Sequence, residues 1–480
     1  MTKGLLALLL GATSLTACAV GPDYHRPETS ATAAAPFIGT ANPVVTTAAT
    51  DDRWWQLYRD PVLDRLIADA LAANTDIRVA IAHLEKARAQ LRGARSDRLP
   101  QTDIAGSLTD SRVPASQVLP GTDRQNWSAD GGLNVNYEID LFGRVKRSIQ
   151  AARGDLGAAQ GDADAVRVAV VSDTVRAYVD ATSAAARIAV AQHTVDLLDR
   201  SIRITSARFD AGRSDRLDVI RVTALRDQQK ALIPSIVAER DAALFRLATL
   251  TGRTPQELPA EVRDRTTTPT LDQPIPVGDG RALLARRPDV RAAERRLAAD
   301  TARIGVATAD LYPRISLGGS VGTTSLGLGD VVGGGPFRWL FGSLISWSFP
   351  NQEAIRARIG GAKADTAASL ASFDGTVLRA LEETETALSA YQHAVERQQT
   401  LVAARDEAAR AARISLARQR EGQIDFLTVL DAQRTLAGAE ADLADAGRDV
   451  GFAQVDLFRA LGGGWQDASE TRTAEAMPAG

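Results

Sequence analysis

The chain has 480 residues, 45% hydrophobic and 24% charged, with a formal net charge of −3. Arginine and acidic residues are interspersed along its length, so no basic patch points to nucleic acid. A single cysteine excludes an internal disulfide, and His25, His83, His193 and His393 are too scattered for metal-ligand spacing.

At the N-terminus, Lys3 precedes an apolar run from Gly4 to Ala12, followed by Leu15-Thr16-Ala17-Cys18. The run is too short for a bilayer span, which needs ~20 apolar residues, but it suits a signal-peptide core. Small residues before a cysteine resemble a lipobox. That resemblance implies cleavage after residue 17, a diacylglycerol on the Cys18 sulfur and an acyl chain on its new amino group. An ordinary secretory signal with a chance cysteine is the other reading. Ala19 is not the aspartate that usually retains lipoproteins at the inner membrane, so outer-membrane sorting is implied. Covalent lipid aside, no cofactor is expected.

Beyond this segment the chain repeats itself. Ala73-Asn74-Thr75-Asp76-Ile77-Arg78 aligns with Arg286-Arg287-Pro288-Asp289-Val290-Arg291. The same offset holds at Leu84/Leu297, Ala94/Ala307, Pro100/Pro313 and Gly106/Gly319. Arg208 to Gly212 and Asp215 to Val219 match Arg418 to Gly422 and Asp425 to Val429 at a slightly shorter offset, which still holds at Leu247/Leu457 and Gly252/Gly462. Each half reads as helix, proline, strand-like stretch, long helix, glycine turn, helix.

The first strand-like stretch, about 101–110, alternates Thr102, Ile104, Gly106 and Leu108 with Asp103, Ala105, Ser107 and Thr109. The second, about 127–139, puts Trp127, Leu133, Val135, Tyr137 and Ile139 on one face and Ser128, Asp130, Asn134, Asn136 and Glu138 on the other. That period of two, with one apolar and one wet face, suits a transmembrane strand of ~9–11 residues. Residues 314–322 and 337–349 repeat it, the latter with Phe337, Trp339, Phe341, Ile345, Trp347 and Phe349 together. Residues 112–126 and 323–336 read as the intervening loops. A soluble β-sandwich is the competing reading, but it would usually carry more short strands at regular spacing.

From Gly143 to about Phe209 there is no proline, and Ala, Arg and Leu dominate. These are good helix formers, and at ~1.5 Å per residue the segment would make a rod of roughly 100 Å. Its counterpart runs from about Glu353 to Gln419. Gly212 and Gly422 then reverse the chain, and Asp215 and Asp425 lie near new helix starts, where acidic charge complements the dipole. These helices alone would suit a soluble coiled-coil rod equally well. Four strands decide against it. They cannot close a barrel, and open edges are not tolerated in lipid, so the chain must oligomerise through its strands. Two chains would give eight strands and three would give twelve; a drug-sized passage favours the larger ring.

No enzyme constellation appears: there is no Gly-x-Ser-x-Gly elbow and no His-Glu-x-x-His. Gly318-Gly319 and Gly333-Gly334-Gly335 lack the Lys-Ser/Thr of a phosphate loop, and Glu382, Glu383 and Glu385 read as a solvated or lumen-lining face.

Several motifs together resemble the outer membrane factor family, of the TolC, OprM and NodT type, over nearly the whole mature chain. They are Ala19-Val20-Gly21-Pro22-Asp23-Tyr24, Trp54-Trp55 with Leu63-Asp64-Arg65-Leu66-Ile67, Tyr137-Glu138-Ile139-Asp140-Leu141-Phe142-Gly143-Arg144, Arg286-Arg287-Pro288-Asp289-Val290, and Phe426-Leu427-Thr428-Val429-Leu430-Asp431-Ala432-Gln433-Arg434. The resemblance implies an α+β membrane protein with a tandem-duplicated TolC-like fold. It would be a homotrimer, with four strands per chain in a shared 12-stranded β-barrel and long antiparallel helices forming an α-barrel across the periplasm. It implies a passive exit duct of a tripartite efflux system, working with a periplasmic adaptor and an inner-membrane pump, expected to be of the RND type. Type I protein secretion is the alternative channel role, and a pore-less structural lipoprotein the remoter one. The cargo stays open among drugs, metals, solvents, peptides and proteins.

By position in the motif, Leu427, Asp431 and Arg434 would form the periplasmic gate, the last two spaced i, i+3 on one helix face. An exposed ion pair worth ~0–1 kcal/mol is the plain alternative. Gly212, Arg213, Asp215, Gly422 and Asp425, with Arg208, Asp210, Arg418, Arg420 and Glu421, would mark the tip turns and adaptor contacts; ordinary solubilising charge competes with that reading. The expected division is 1–17 signal peptide, 18–61 lipidated N-terminal segment and equatorial region, 62–252 first repeat, 253–276 equatorial linker, 277–462 second repeat and 463–480 C-terminal tail. One departure stands out. Pro350 is followed by Asn351-Gln352-Glu353 rather than a glycine-rich turn, so the second strand-to-helix corner is expected to differ from the first.

Overall fold

The computed structural model describes residues 19–28, 30–117, 119, 121, 123–271, 273–325 and 337–466. Cys18, the signal peptide, most of the 323–336 loop with its glycine run, and most of the tail lie outside the described residues.

The elements follow the two repeats. Helix α1 (Pro61–Ala73) opens with Pro61 in its first turn and Asp60 as N-cap, accepting from the Val62 N–H at 3.0 Å. Helix α2 (Thr75–Ser96) leads to strands β1 (Gln101–Arg112) and β2 (Gln125–Ile139), then to helices α3 (Arg144–Asp210) and α4 (Arg216–Leu250). The second repeat carries α5 (Gly280–Arg286), α6 (Pro288–Ala309), β3 (Arg314–Ser325), β4 (Phe337–Ser346), α7 (Glu353–Arg420) and α8 (Phe426–Ala460). Helix α3 runs 67 residues and α7 68. Pro234 lies inside α4, where it removes one helix hydrogen bond that the rest of a 35-residue helix tolerates. No helix among the described residues is long and apolar enough to cross a membrane.

The chain forms two compact units, and neither coincides with a repeat. One comprises the residues up to Pro27, His83–Gln160 and Ala292–Asp374; the other comprises Glu28–Ala82, Gly161–Arg291 and Gly375–Gly480. The reason is visible in the second unit's core. Trp54, Leu63, Leu66 and Ile67, before and within α1, bury with Val175 and Tyr178 of α3, Leu388 of α7 and Leu457 and Phe458 of α8. Trp54 is fully buried and stacks on Phe458, ring centroids 4.5 Å apart. A two-residue parallel pair, Val45–Thr46 with Ile275–Pro276, joins the inter-helix segments. Each repeat therefore completes its apolar surface only against the other.

The first unit holds the sheet, in order β1-β2-β3-β4, all antiparallel. Residues directly opposite share a face. The register sets Ile104 against Leu133, Leu133 against Val321, and Val321 against Trp339. Likewise Ile139 meets Ile315, which meets Ile345. One face is thereby apolar across all four strands, and its side chains on β4 are open: Trp339 and Phe341 are each 72% exposed. The opposite face carries Asp103, Asn134, Asp130, Ser320 and Thr324, with Leu340 and Leu344 as exceptions on β4. There Arg338 reaches across β3 to donate to both Asp130 oxygens at 2.8 and 2.9 Å.

Strand ends differ from the sequence expectation by a few residues. β1 continues to Arg112 and β2 starts at Gln125 because those two residues pair. β3 continues to Ser325 against Ala129. β4 stops at Ser346 rather than Phe349: the Trp347 indole N–H turns to the Leu311 carbonyl at 3.0 Å, and Trp347 stacks on Phe349.

Candidate functional site

Three places carry the chemistry: the sheet, the corners where strands become helices, and the turns that end the long helices.

The first corner, between β2 and α3, is built by a glycine and an aspartate. Gly143 takes a φ of +78°, and the Asp140 carboxylate accepts from the Val145 N–H at 3.0 Å and the Lys146 N–H at 2.8 Å, capping α3. Arg144 forms a two-point pair with Glu138 at 2.7 and 2.6 Å. The second corner lacks a positive-φ residue; instead the Gln352 side-chain amide donates to the Leu311 carbonyl at 3.1 Å. The corners differ, as the missing glycine turn suggests.

At the far end of α3, Gly212 (φ +70°) donates to the Phe209 carbonyl at 2.8 Å and Arg213 to the Arg208 carbonyl at 2.7 Å. At the end of α7, Gly422 (φ +73°) donates to Gln419 at 3.1 Å and Gln423 to Arg418 at 2.9 Å. Both are Schellman closures, in which a left-handed residue lets the chain satisfy the last helical carbonyls. The next helices start at once. Asp215 accepts from the Leu217 N–H at 2.9 Å, and Asp425 from the Thr428 N–H at 2.9 Å and its hydroxyl at 2.6 Å. Those hydrogen bonds hold the Asp425 carboxyl below the usual carboxylate range. Both aspartates thus cap helices directly, a closer role than the dipole complement the sequence suggests. Arg213, exposed beside Gly212, makes no side-chain contact of this kind.

The two turn-linked hairpins are tied by a small apolar cluster, Leu198 of α3, Val222 and Leu225 of α4 and Leu430 of α8, with Ile202 and Phe426 against it. The Gln433 amide adds a bond to the Ser201 hydroxyl at 3.0 Å. This inward face of α8 is matched by an outward one. Leu427 is 50% exposed, and Asp431 and Arg434 are exposed too, so the three gate candidates form one open stripe at i, i+4, i+7. Among the described residues neither Asp431 nor Arg434 has an ion-pair partner, and the stripe is far more open than Leu430, which is 6% exposed.

Two sets of contacts escape sequence reading, although motifs mark several of their residues. Equivalent positions of the repeats, Asn74 and Arg287, do one task with different groups. The Asn74 amide donates to the carbonyl of Leu250 at 3.0 Å, and the Arg287 guanidinium to that of Ala460 at 2.9 Å, each closing the last turn of its repeat's final helix. Arg287 also pairs with Asp289 and Glu383, both at 2.7 Å. The repeat alignment placed these residues opposite each other but gave no partner. The second set is the N-terminal strap from Ala19 to Tyr24, held by Arg147 and described below. Among the described residues no cluster of His, Cys, Asp and Glu could hold a metal ion.

Comparison with known proteins adds to this geometry. The outer membrane efflux protein family model matches residues 66–253 and again 280–463. The chain is 33% identical over 467 residues to the outer membrane protein OprJ of Pseudomonas aeruginosa, covering 97% of this chain and 96% of OprJ. It is 31% identical over 465 residues to nodulation protein T of Rhizobium leguminosarum bv. trifolii, covering 95% and 96%. The solved structure of the outer-membrane channel OprN superposes with a TM-score of 0.87 at 37% identity, covering 94% of this chain and all of that one.

Proposed function

This chain belongs to the outer membrane efflux protein family, and from that premise we propose how it builds and closes its channel. It is an outer-membrane efflux channel. Three copies would each supply four strands to one twelve-stranded barrel, β4 of one pairing β1 of the next. The observation that carries this is the sheet itself. Its apolar face is open along all four strands, and both β1 and β4 have one edge unpaired. Lipid tolerates the face and not the edges, so closure must come from other copies.

In this reading the hairpins form an α-helical barrel through the periplasm. The turns at Gly212 and Gly422, with Arg213, Asp215 and Asp425 beside them, meet a periplasmic adaptor coupled to an RND-type pump. A lipid on Cys18 adds a second hold on the membrane. Leu427, Asp431 and Arg434 of three chains would face one another around the axis, an apolar constriction beside a ring of charge. The open, unpaired stripe on α8 supports this, because it leaves all three side chains free for another copy.

Single-channel recording in a planar bilayer tests the proposal, with the unmodified chain beside an Asp431→Ala, Arg434→Ala double variant. The gate predicts a severalfold higher conductance in the variant. Equal conductances would remove the gate and leave the channel; a folded, inserted protein that never conducts would sink the channel itself.

A further inference from the structure

The residues that follow Cys18 in the chain lie against a buried guanidinium. The Arg147 side chain is 4% exposed. Its Nε donates to the Val20 carbonyl at 3.1 Å, one terminal nitrogen to the carbonyls of Gly21 at 3.1 Å and Ala19 at 3.4 Å, and the other to Asp23 at 2.8 Å and Gln150 at 3.0 Å. The Val20 N–H in turn donates to the Phe142 carbonyl at 3.1 Å, on the corner between β2 and α3. Farther along, the Tyr24 hydroxyl donates to the buried Glu294 at 2.5 Å.

Three glycines make room for the strap. A Cβ on Gly21, whose φ is +87°, would lie 2.5 Å from the Gly305 Cα. One on Gly143 would lie 2.5 Å from the Ala19 Cβ, and one on Gly305 would lie 2.7 Å from the Arg147 Cγ. No real Cβ approaches so closely, so strap, corner and α6 meet only because all three positions lack a side chain.

We propose that the corner between β2 and α3 is a receptor for the chain's own N-terminus, with Arg147 the positioning residue that grips the strap by its main chain. A buried guanidinium costs much to desolvate unless its donors are satisfied, and here three of its acceptors are strap carbonyls. Such a grip holds the strap by its main chain, while Gly143 leaves the room that the Ala19 methyl needs. It delivers whatever is attached at residue 18 to the foot of the apolar sheet face. Where that attachment is lipid, which rests on the reading of Cys18 given above, the receptor sets the anchor at the boundary between strands and helices, so that the acyl chains and the sheet enter one leaflet together.

The test compares the unmodified full-length chain with Gly21→Val, whose side chain meets Gly305 of α6 and pushes the strap away from it, and Arg147→Gln, which removes the grip. Hydrogen exchange is read at the Val20 amide and along α6. Release predicts a loss of Val20 protection of about tenfold or more in both variants, the scale of losing a charge-assisted hydrogen bond, with α6 unchanged in Gly21→Val. Asp23→Asn, which keeps the three carbonyl contacts, should move it far less. Unchanged Val20 exchange in Gly21→Val overturns the receptor even if Arg147→Gln fails to fold. Mass spectrometry of the N-terminal peptide separates the two readings. A lipidated Gly21→Val chain that yields severalfold less heat-resistant oligomer in outer membranes supports anchor placement. A lipidated chain with a normal yield overturns anchor placement. A peptide without lipid overturns the Cys18 reading and leaves the strap to the exchange data.

Discussion

Arginine at Val321 and arginine at Ser320 should have opposite fates, although the two residues are neighbours at one depth of one strand. Val321 sits between Leu133 and Trp339 on the apolar face, while Ser320 sits between Asn134 and Leu340 on the other. Both lie near the middle of a 12-residue strand. A cation on the lipid side of a barrel near the bilayer midplane costs about 2–4 kcal/mol, and one on the lumen side close to nothing. At 1.4 kcal/mol per factor of ten, the Val321→Arg penalty is roughly 30- to 700-fold per chain in the insertion equilibrium, and it recurs in every copy of the ring. The assay is the fraction of full-length chain recovered from outer membranes as heat-resistant oligomer. Val321→Arg should abolish nearly all of it, and Ser320→Arg should leave most. Equal losses at the two positions, or a greater loss at Ser320, would refute the assignment of faces and with it the barrel.

Gly212→Ala and Gly422→Ala meet open space and should cost only the left-handed backbone penalty, about 1–2 kcal/mol, read as faster amide exchange at Arg213 and Gln423. Gly252→Ala has a similar φ but would also bring its Cβ to 2.8 Å from the Ala73 carbonyl oxygen, so its cost in a thermal melt should be clearly larger. Arg287→Ala and Asn74→Ala should destabilise by similar amounts, about 1.5–3 kcal/mol each, since one loses a charged donor and the other a neutral donor together with the cap of α2; denaturant titration decides. Because the Asp425 carboxyl is held below the ordinary value of 3.8, its cap should persist from neutral pH down to that value and fail only as pH drops further. Exchange at the Thr428 amide, measured against pH, would show a failure at milder acidity if this is wrong.

Sequence reads these elements unevenly, for physical reasons. The strands are legible because one face is apolar and the other polar, which writes a period of two into residues such as Leu133-Asn134-Val135-Asn136. The tip turns are legible because Gly212 and Gly422 need a backbone that few residues adopt. Strand ends are less so, since Trp347 leaves the ladder for the Leu311 carbonyl, a partner that no local pattern announces. The strap is legible as a motif, Ala19 to Tyr24, but its partner is not. Arg147 is one arginine among many on a long helix, and three of its acceptors are main-chain oxygens as far as 128 residues away. The gate candidates stand between: a motif marks them, and the fold turns Leu427, Asp431 and Arg434 outward, away from the cluster that buries Leu430.

The shared core has a consequence for how the molecule comes into being. Tyr58 donates to Gln454 from 396 residues away, and Trp54 waits for Phe458. A chain threaded N-terminus first through the inner membrane exposes half of that core long before the other half emerges. Pairings so distant in sequence form slowly, and half-built cores are prone to aggregate. Neither repeat can be secreted as a folded half. The newborn protein must instead be kept apart from its neighbours until α8 arrives and the core can close.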